Sequence, residues 1–424
     1  MKNFVLIVAI FLVTLSSISQ KWEHIYGEPN KNEIAEHIIE IYDNGYYILG
    51  TTEGENELYV AWNIKTDING NSLYDKLIFH NIYTQVNYSA ASDNNGNIYT
   101  CGAILLNDTW PIVAKYDSCG QKVWCRAFVD DYYDYGVAKD IIIIEDNKVL
   151  VLVNHDMEDY IDQAVLYCIN NDGDLLWSKP YASKNQHPLI DNLSVYNLNN
   201  YNNSYFIDGY CYWAYPDDPD HFYLRPLFIK VDSLFNEEWV LPFGVADSIV
   251  GEAYGTIALN DSVYFGMGVR RSSATYNKNS LLMFFNDQGE EIGYNQIANE
   301  GFGENVEFNL MAKIAPIDDT SFVTKFYIGK NDTVYHGETI IDTSGTIHEM
   351  QIRGTGGAIP DMIKTQDNNF LVAIEVEENK GDKDIWVYNL IKTLNRCHSI
   401  PIPMYTTAFV REESNRAALI LPIA

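Results

Sequence analysis

A short phrase returns along this chain: an acidic or amide residue closing an apolar run, a turn carrying glycine, then an aromatic residue four positions on. It reads Asp67-Ile-Asn-Gly70 to Tyr74, Asp117-Ser-Cys-Gly120 to Trp124, Asn170-Asn-Asp-Gly173 to Trp177, and Asp232-Ser-Leu-Phe235 to Trp239. Weaker copies run from Asn286 to Gly289 and from Asp342 to Gly345, each copy about fifty to sixty residues beyond the last. A period of that length means stacked sheet units, either a propeller or a solenoid.

Between copies, short β-rich runs alternate with turn residues, and nowhere do apolar residues hold a capped helical period. One unit shows the pattern: Asn87 to Ser92, Asn97 to Gly102, Pro111 to Tyr116 and Lys122 to Phe128 make four strands, a to d from the inside outward. The last unit, through Asn369 to Glu375 and Asp384 to Lys392, lacks strand d. Its counterpart lies at the other end of the chain, where Lys21-Trp22 to Tyr26 matches Leu176-Trp177 to Tyr181. A solenoid has no reason to split one repeat between its termini; a closed ring does, because closure removes the open edge. The expectation is an all-β, seven-bladed β-propeller closed by the N-terminal strand, with six or eight blades as alternatives.

The phrase has a structural cause. An Asp or Asn side chain can accept hydrogen bonds from backbone amides two residues on, glycine supplies the positive φ, and the aromatic packs against the neighbouring unit. The copies without an aromatic, at Gly293 and Glu349, mark units five and six as the least regular.

Residues 1–19 carry a basic start, an apolar core from Phe4 to Leu15 and small residues at Ser17-Ile18-Ser19, the pattern of a secretory signal. The expected organisation is a signal peptide over 1–19, a propeller over 20–396 and a tail over 397–424. No later segment approaches the roughly 20 apolar residues of a spanning helix. The expected location is therefore secreted, extracellular or cell-surface, with the periplasm as an alternative, and the chain is read as a monomer.

Charge narrows the partners. With 58 acidic and 28 basic residues the formal charge is −30, which repels nucleic acid and anionic membranes and leaves glycans and protein surfaces as partners. The 6 cysteines include no CxxC pair, so a structural zinc site is not indicated. Cys101, Cys168 and Cys211 fall inside apolar runs and read as packed thiols. None of the 9 histidines forms HExxH, and there is no GxSxG elbow.

The phrase Lys115-x-Asp117-x-x-Gly120-x-x-x-Trp124, echoed from Lys65 and Lys230, resembles the tryptophan-docking repeat of quinoprotein-like propellers, with a turn one residue shorter. That family's adjacent cysteines at the cofactor have no counterpart here, so the resemblance implies architecture and no catalytic residue. The units Asp43 to Gly50 and Trp62 to Gly70 resemble exported propeller-repeat proteins of bacteria using type IX secretion. That resemblance implies an exported protein; the segment from Cys397 is short for the sorting domain such proteins often carry.

In strand order a to d, the b–c and d–a connections share one face and the c–d turns lie on the other. The b–c and d–a face is where insertions collect. Unit four offers Tyr212, Trp213, Tyr215, Asp217, Asp218, Asp220, His221 and Tyr223; the entry to unit three offers Tyr132, Tyr133 and Tyr135, beside a loop with His155. Aromatics flanked by carboxylates suit sugar faces and protein contact. Calcium at Asp217, Asp218 and Asp220 is the one cofactor the pattern allows. The expected function is a non-enzymatic binding or scaffold protein with a glycan or protein ligand on this face. The alternative is a secreted carbohydrate-active hydrolase, which needs two carboxyl groups about 5 Å or 6.5–9.5 Å apart.

Overall fold

The computed structural model describes residues 22–54, 59–78, 84–105, 108–128, 133–157, 162–215, 218–244, 249–271, 278–355, 361–379, 382–390, 405–408 and 419–422. In chain order the strands are β1 (Glu23–Tyr26), β2 (Glu33–Glu40), β3 (Tyr46–Glu53), β4 (Tyr59–Thr66), β5 (Ser72–Ile78), β6 (Thr84–Ser92), β7 (Ile98–Leu105), β8 (Thr109–Tyr116), β9 (Lys122–Ala127) and β10 (Tyr133–Ile143). They continue as β11 (Val149–Met157), β12 (Asp162–Ile169), β13 (Leu175–Tyr181), β14 (Ile190–Tyr201), β15 (Ser204–Tyr215), β16 (Asp218–Val231), β17 (Glu237–Pro242), β18 (Gly251–Asn260), β19 (Val263–Arg271) and β20 (Lys278–Asn286). The remainder are β21 (Glu291–Gln296), β22 (Val306–Pro316), β23 (Ser321–Lys330), β24 (Thr333–Asp342), β25 (Ile347–Thr355), β26 (Asp361–Lys364), β27 (Phe370–Asn379), β28 (Asp382–Leu390), β29 (Tyr405–Ala408) and β30 (Leu419–Pro422).

The fold is an all-β propeller. Antiparallel four-stranded sheets are ordered β10-β11-β12-β13, β14-β15-β16-β17, β18-β19-β20-β21 and β1-β28-β27-β26. In the last, β1 is the outer strand, with Ile25 opposite Trp386, so the N terminus completes a sheet begun near the other end of the chain. Hydrogen bonding gives six sheets and not the seven separate ones expected. One sheet of eight strands holds both β2–β5 and β6–β9, joined by a single parallel pair, Val60 with Gln85. Another of six strands extends β22–β25 by β29 and β30. The innermost strands touch in a cycle from β2 through β6, β10, β14, β18, β22 and β26 back to β2.

Burial follows position in the sheet. The second strand β3 is buried on both faces along nearly its whole length, because neighbouring sheets cover it on either side, whereas the outer strand β5 alternates exposed and half-buried. Apolar clusters lie between successive sheets; one joins Leu150, Leu166 and Cys168 to Val195, Cys211 and Ile229, another joins Phe206 and Phe228 to Tyr264 and Phe285. Cys101, Cys168 and Cys211 are buried thiols in these layers.

The recurring phrase makes the turn between third and fourth strands. Asp117 Oδ1 accepts from Cys119 N at 2.9 Å and Gln121 N at 2.8 Å, and the same pair of contacts recurs at Asp67, Asn170, Asp232, Asn286 and Asp342. The fourth-strand aromatic then lies on the turn of the next unit. Trp124 covers Gly173, where an added Cβ would come within 2.8 Å of its ring, and Trp124 Nε1 donates to Asn171 O at 2.9 Å. Trp239 repeats this on Gly289, donating to Asp287 O, while Tyr74 covers Gly120 and Trp22 covers Gly70. At the fourth copy Phe235 takes the left-handed conformation at φ 63°, and its ring packs on Trp177 at 4.7 Å and Tyr205 at 5.2 Å, contacts a glycine could not make. Where the aromatic is missing, Ile297 comes closest to Gly345.

Candidate functional site

The hairpin β15–β16 has the longest strands of the molecule and carries its tip on the b–c face. Alternation along β15 sends its side chains to two different neighbours. Cys211 and Trp213 pack toward β10–β13, and Arg225 lies over the Trp213 ring at 5.1 Å and the Tyr223 ring at 5.7 Å, with Tyr215 against Tyr223 at 4.9 Å. These three predicted aromatics fold back onto the sheet around one guanidinium, which Phe243 O and Gly244 O hold in place.

Tyr212 turns the other way. It is 41% exposed, as is Phe222 at 42%, and it meets Tyr210 edge-on with ring centroids 5.9 Å apart. Tyr210 packs on Tyr196, which stacks on Tyr254 of β18 at 5.5 Å. The hydroxyls of Tyr254 and Tyr196 donate to Glu252 Oε2 at 2.6 and 3.3 Å, and Arg271 pairs with the other oxygen, Oε1. The hairpin aromatics thus run into an aromatic and ionic cluster at the mouth between β14–β17 and β18–β21.

Of the other expected residues, Tyr135 is exposed, but His155 is fully buried, bonded through Nδ1 to Tyr135 O at 3.1 Å and through Nε2 to Tyr167 OH at 2.5 Å. His155 is therefore a packed strand residue and not part of an open loop. Tyr132 and Asp217 lie outside the described residues; for Tyr133, Asp218, Asp220 and His221 only the backbone is described, at the starts of β10 and β16. The possible calcium ligands thus fall where no side chain is described. Among the described residues no group of three His, Cys, Asp or Glu could hold a metal.

Sequence reasoning missed an irregularity of the inner strands. Six of them carry a β-bulge at the same register: the extra residue is Glu36 in β2, Tyr88 in β6, Lys139 in β10, Tyr196 in β14, Tyr254 in β18 and Ala312 in β22. Bulges re-aim side chains. Lys139 Nζ sits 4.9 Å from the Tyr88 ring centroid on the adjacent inner strand, and farther round the ring Tyr196 and Tyr254 stack on each other. Burial pushes Glu36 up to about 7, partly offset by a hydrogen bond from Thr51 and by the charge of Lys139. In four units the residue before the bulge faces a glycine: Gly50, Gly102, Gly209 and Gly268. A Cβ on Gly102 would sit 1.9 Å from Val86 O, so these second-strand glycines make room for the bulged backbone and were the readable signal.

The residues after four of the bulges, His37, Ser89, Asp140 and Lys313, bind the sheets together. Asp361 Oδ2 accepts from Ile38 N at 2.9 Å and from His37 at 2.7 Å, and Lys313 pairs with Oδ1 at 3.3 Å. Asp140 repeats the arrangement with Leu198 N at 2.7 Å and Ser89 Oγ at 2.7 Å. Burial would raise Asp361, but Lys313 and His37 outweigh it and hold the carboxyl well below the usual range. Asp208 has no such cation in contact; burial pushes it up to about 7 despite hydrogen bonds from Asn197 and Thr256.

No protein-family model matches the chain, and no curated protein matches it. Among solved structures it is similar to Drosophila Semaphorin 2a (7% identity, TM-score 0.49, 87% of this chain and 75% of that one). It is also similar to Trypanosoma rangeli sialidase in complex with 2,3-difluorosialic acid (11% identity, TM-score 0.48, 87% of this chain), spanning 56% of the sialidase. A third likeness is to Drosophila Semaphorin 1b (8% identity, TM-score 0.48, 88% of this chain and 87% of that one). At these identities and scores the likenesses carry no argument about activity or ligand, and the fold rests on the strand pairing described above.

Proposed function

We propose that the chain is an extracellular, non-enzymatic binding or scaffold protein whose ligand, a glycan or a protein surface, docks on the b–c face around the β15–β16 hairpin of the third and fourth units. The observation that carries this reading is the exposure of Tyr212 and Phe222 on the long β15–β16 hairpin. Tyr210 continues the aromatic surface beside Tyr212, and aromatic anchors of this kind carry binding energy. Export through a signal peptide over 1–19, by a type IX-like route, belongs to the same reading.

We count the eight-stranded sheet as two blades, because only one parallel pair joins its halves, and so take the ring as seven-bladed. Deleting Lys21 to Tyr26 tests that ring: stability should fall sharply, and an unaffected fold contradicts closure.

A glycan array and a pull-down, each run with the native chain and with Tyr212→Ser/Phe222→Ser, test the binding role. Loss of a specific signal with an unchanged melting profile supports the reading; a signal indifferent to both substitutions refutes it. Glu36 favours one second reading, a carbohydrate-active hydrolase, because a channel carboxyl raised to about 7 suits a general acid. Hydrolysis that Glu36→Gln abolishes would replace binding with catalysis.

A further inference from the structure

The six bulges are the least explained regularity of the molecule. Each costs a ladder hydrogen bond, and in four units a second-strand glycine accommodates the irregular backbone. Four residues that follow bulges have an evident structural use: His37 and Lys313 bind Asp361, and Asp140 bonds Ser89 and Leu198 N, stitching one inner strand to the next. The bulge residues themselves do not repeat a stitching chemistry. They are Glu36, Tyr88, Lys139, Tyr196 and Tyr254 on successive inner strands, all half-buried, followed by the buried Ala312.

We infer that this bulge ring is a ligand subsite in the central channel that takes the terminal ring of a neutral saccharide. The inference rests on the proposed binding role and deepens it: the hairpin would hold the outer part of a glycan and the channel its end. The chemistry matches in three respects. Tyrosine rings offer flat faces to the C–H side of a sugar, and polar groups beside them fix its orientation. Lys139 donates hydrogen bonds only, whereas a protonated Glu36 both donates and accepts, which suits hydroxyls. Tyr196 and Tyr254 already stack on each other and have their hydroxyls fixed by Glu252, so they form a rigid wall and leave no slot for a base between them. The charge of −30 further disfavours phosphorylated ligands.

Calorimetric titration of the full chain with short neutral gluco-, manno- and xylo-oligosaccharides tests this, using Tyr254→Ala, Lys139→Met and Glu36→Gln in the channel and Tyr212→Ser on the hairpin. At least one series should bind, and Tyr254→Ala and Lys139→Met should each weaken it on the order of tenfold. Tyr254→Phe, which keeps the ring, should retain most of the affinity and guards against a folding defect. Native affinity should fall as the pH rises past about 7, the value to which burial raises Glu36, and Glu36→Gln should remove that dependence. Binding that Tyr212→Ser abolishes while the channel variants leave it intact would keep the hairpin reading and overturn the channel subsite. No binding by any series, or binding of a peptide but no sugar, would also overturn it.

Discussion

Two junctions of the ring hold their sheets together by opposite means. Between β6–β9 and β10–β13 the contact is mainly apolar, with hydrogen bonds at its edges: Tyr99, Val113 and Trp124 pack on Val151, Val165 and Tyr167, and Trp124 locks onto Gly173. Between β22–β25 and the sheet of β26–β28 and β1, an apolar cluster is joined by buried charge. Lys325 is fully buried, its Nζ 2.5 Å from Glu338 Oε1 and 2.9 Å from Tyr388 OH. Arg353 Nε lies 2.7 Å from Glu338 Oε2, and Tyr388 donates to Glu338 Oε1. Burial would raise the Glu338 carboxyl, but Lys325 and Arg353 hold it below its ordinary value. An apolar junction degrades gradually when trimmed, whereas a buried charge network is stable only while complete.

The sharpest way to break that contrast is Glu338→Ala, which leaves two buried cations uncompensated. It should cost about 3–5 kcal/mol in denaturant unfolding. Lys325→Met combined with Glu338→Leu should recover much of the loss; a single substitution as mild as a surface change would erase the distinction. Trp124→Ala at the apolar junction should cost about 3 kcal/mol through lost burial and cavity formation, and should not respond to salt.

A third test uses pH. His336 lies beside the charge network, and burial, helped by Lys325, pushes it down to about 4 from its ordinary value of 6.5. A depressed folded value means that the unfolded chain takes up the proton first, so this stability is present above 6.5 and lost as the pH falls toward 4. The loss should be roughly 3 kcal/mol, and His336→Leu should abolish that part of the pH profile. Asp208 acts in the opposite sense: its folded value is raised, so its contribution is full below 3.8 and is lost as the pH climbs from there through about 7, and Asp208→Asn should flatten that window.

The smallest effect separates two glycines. Gly173→Ala meets both a φ of +88° and the Trp124 ring and should cost about 1–2 kcal/mol, whereas Gly293, with nothing within 4 Å of an added Cβ, should accept alanine at no cost.

Much of the apolar junction was legible in the sequence. Asp117, Gly120 and Trp124 announce a turn and a docking residue by chemistry alone, and Trp22 announced the strand that completes the last sheet. The charged junction was not, because Lys325 and Glu338 sit in strands whose apolar neighbours read as ordinary, and only the register places them opposite each other. The sheet count failed for a similar reason: the Val60 and Gln85 bridge is a single contact without periodic signature. At the candidate site the aromatic richness of the hairpin was visible, but Tyr212 and Trp213, adjacent in sequence, serve opposite neighbours. The bulges were hidden because one extra residue leaves the polarity of a strand nearly unchanged, and only the glycines facing them gave any trace.

Hydrogen exchange of the full chain, with and without a ligand selected on the glycan array or pull-down, tests the central claim that function sits at the loop face and channel while the repeat is scaffold. Protection should appear in the β15–β16 hairpin and the inner strands carrying Tyr88, Lys139, Tyr196 and Tyr254, with the turns at Asp67, Asp117, Asn170 and Asp232 unchanged. Protection confined to those turns, with the hairpin and channel unaffected, would contradict the account.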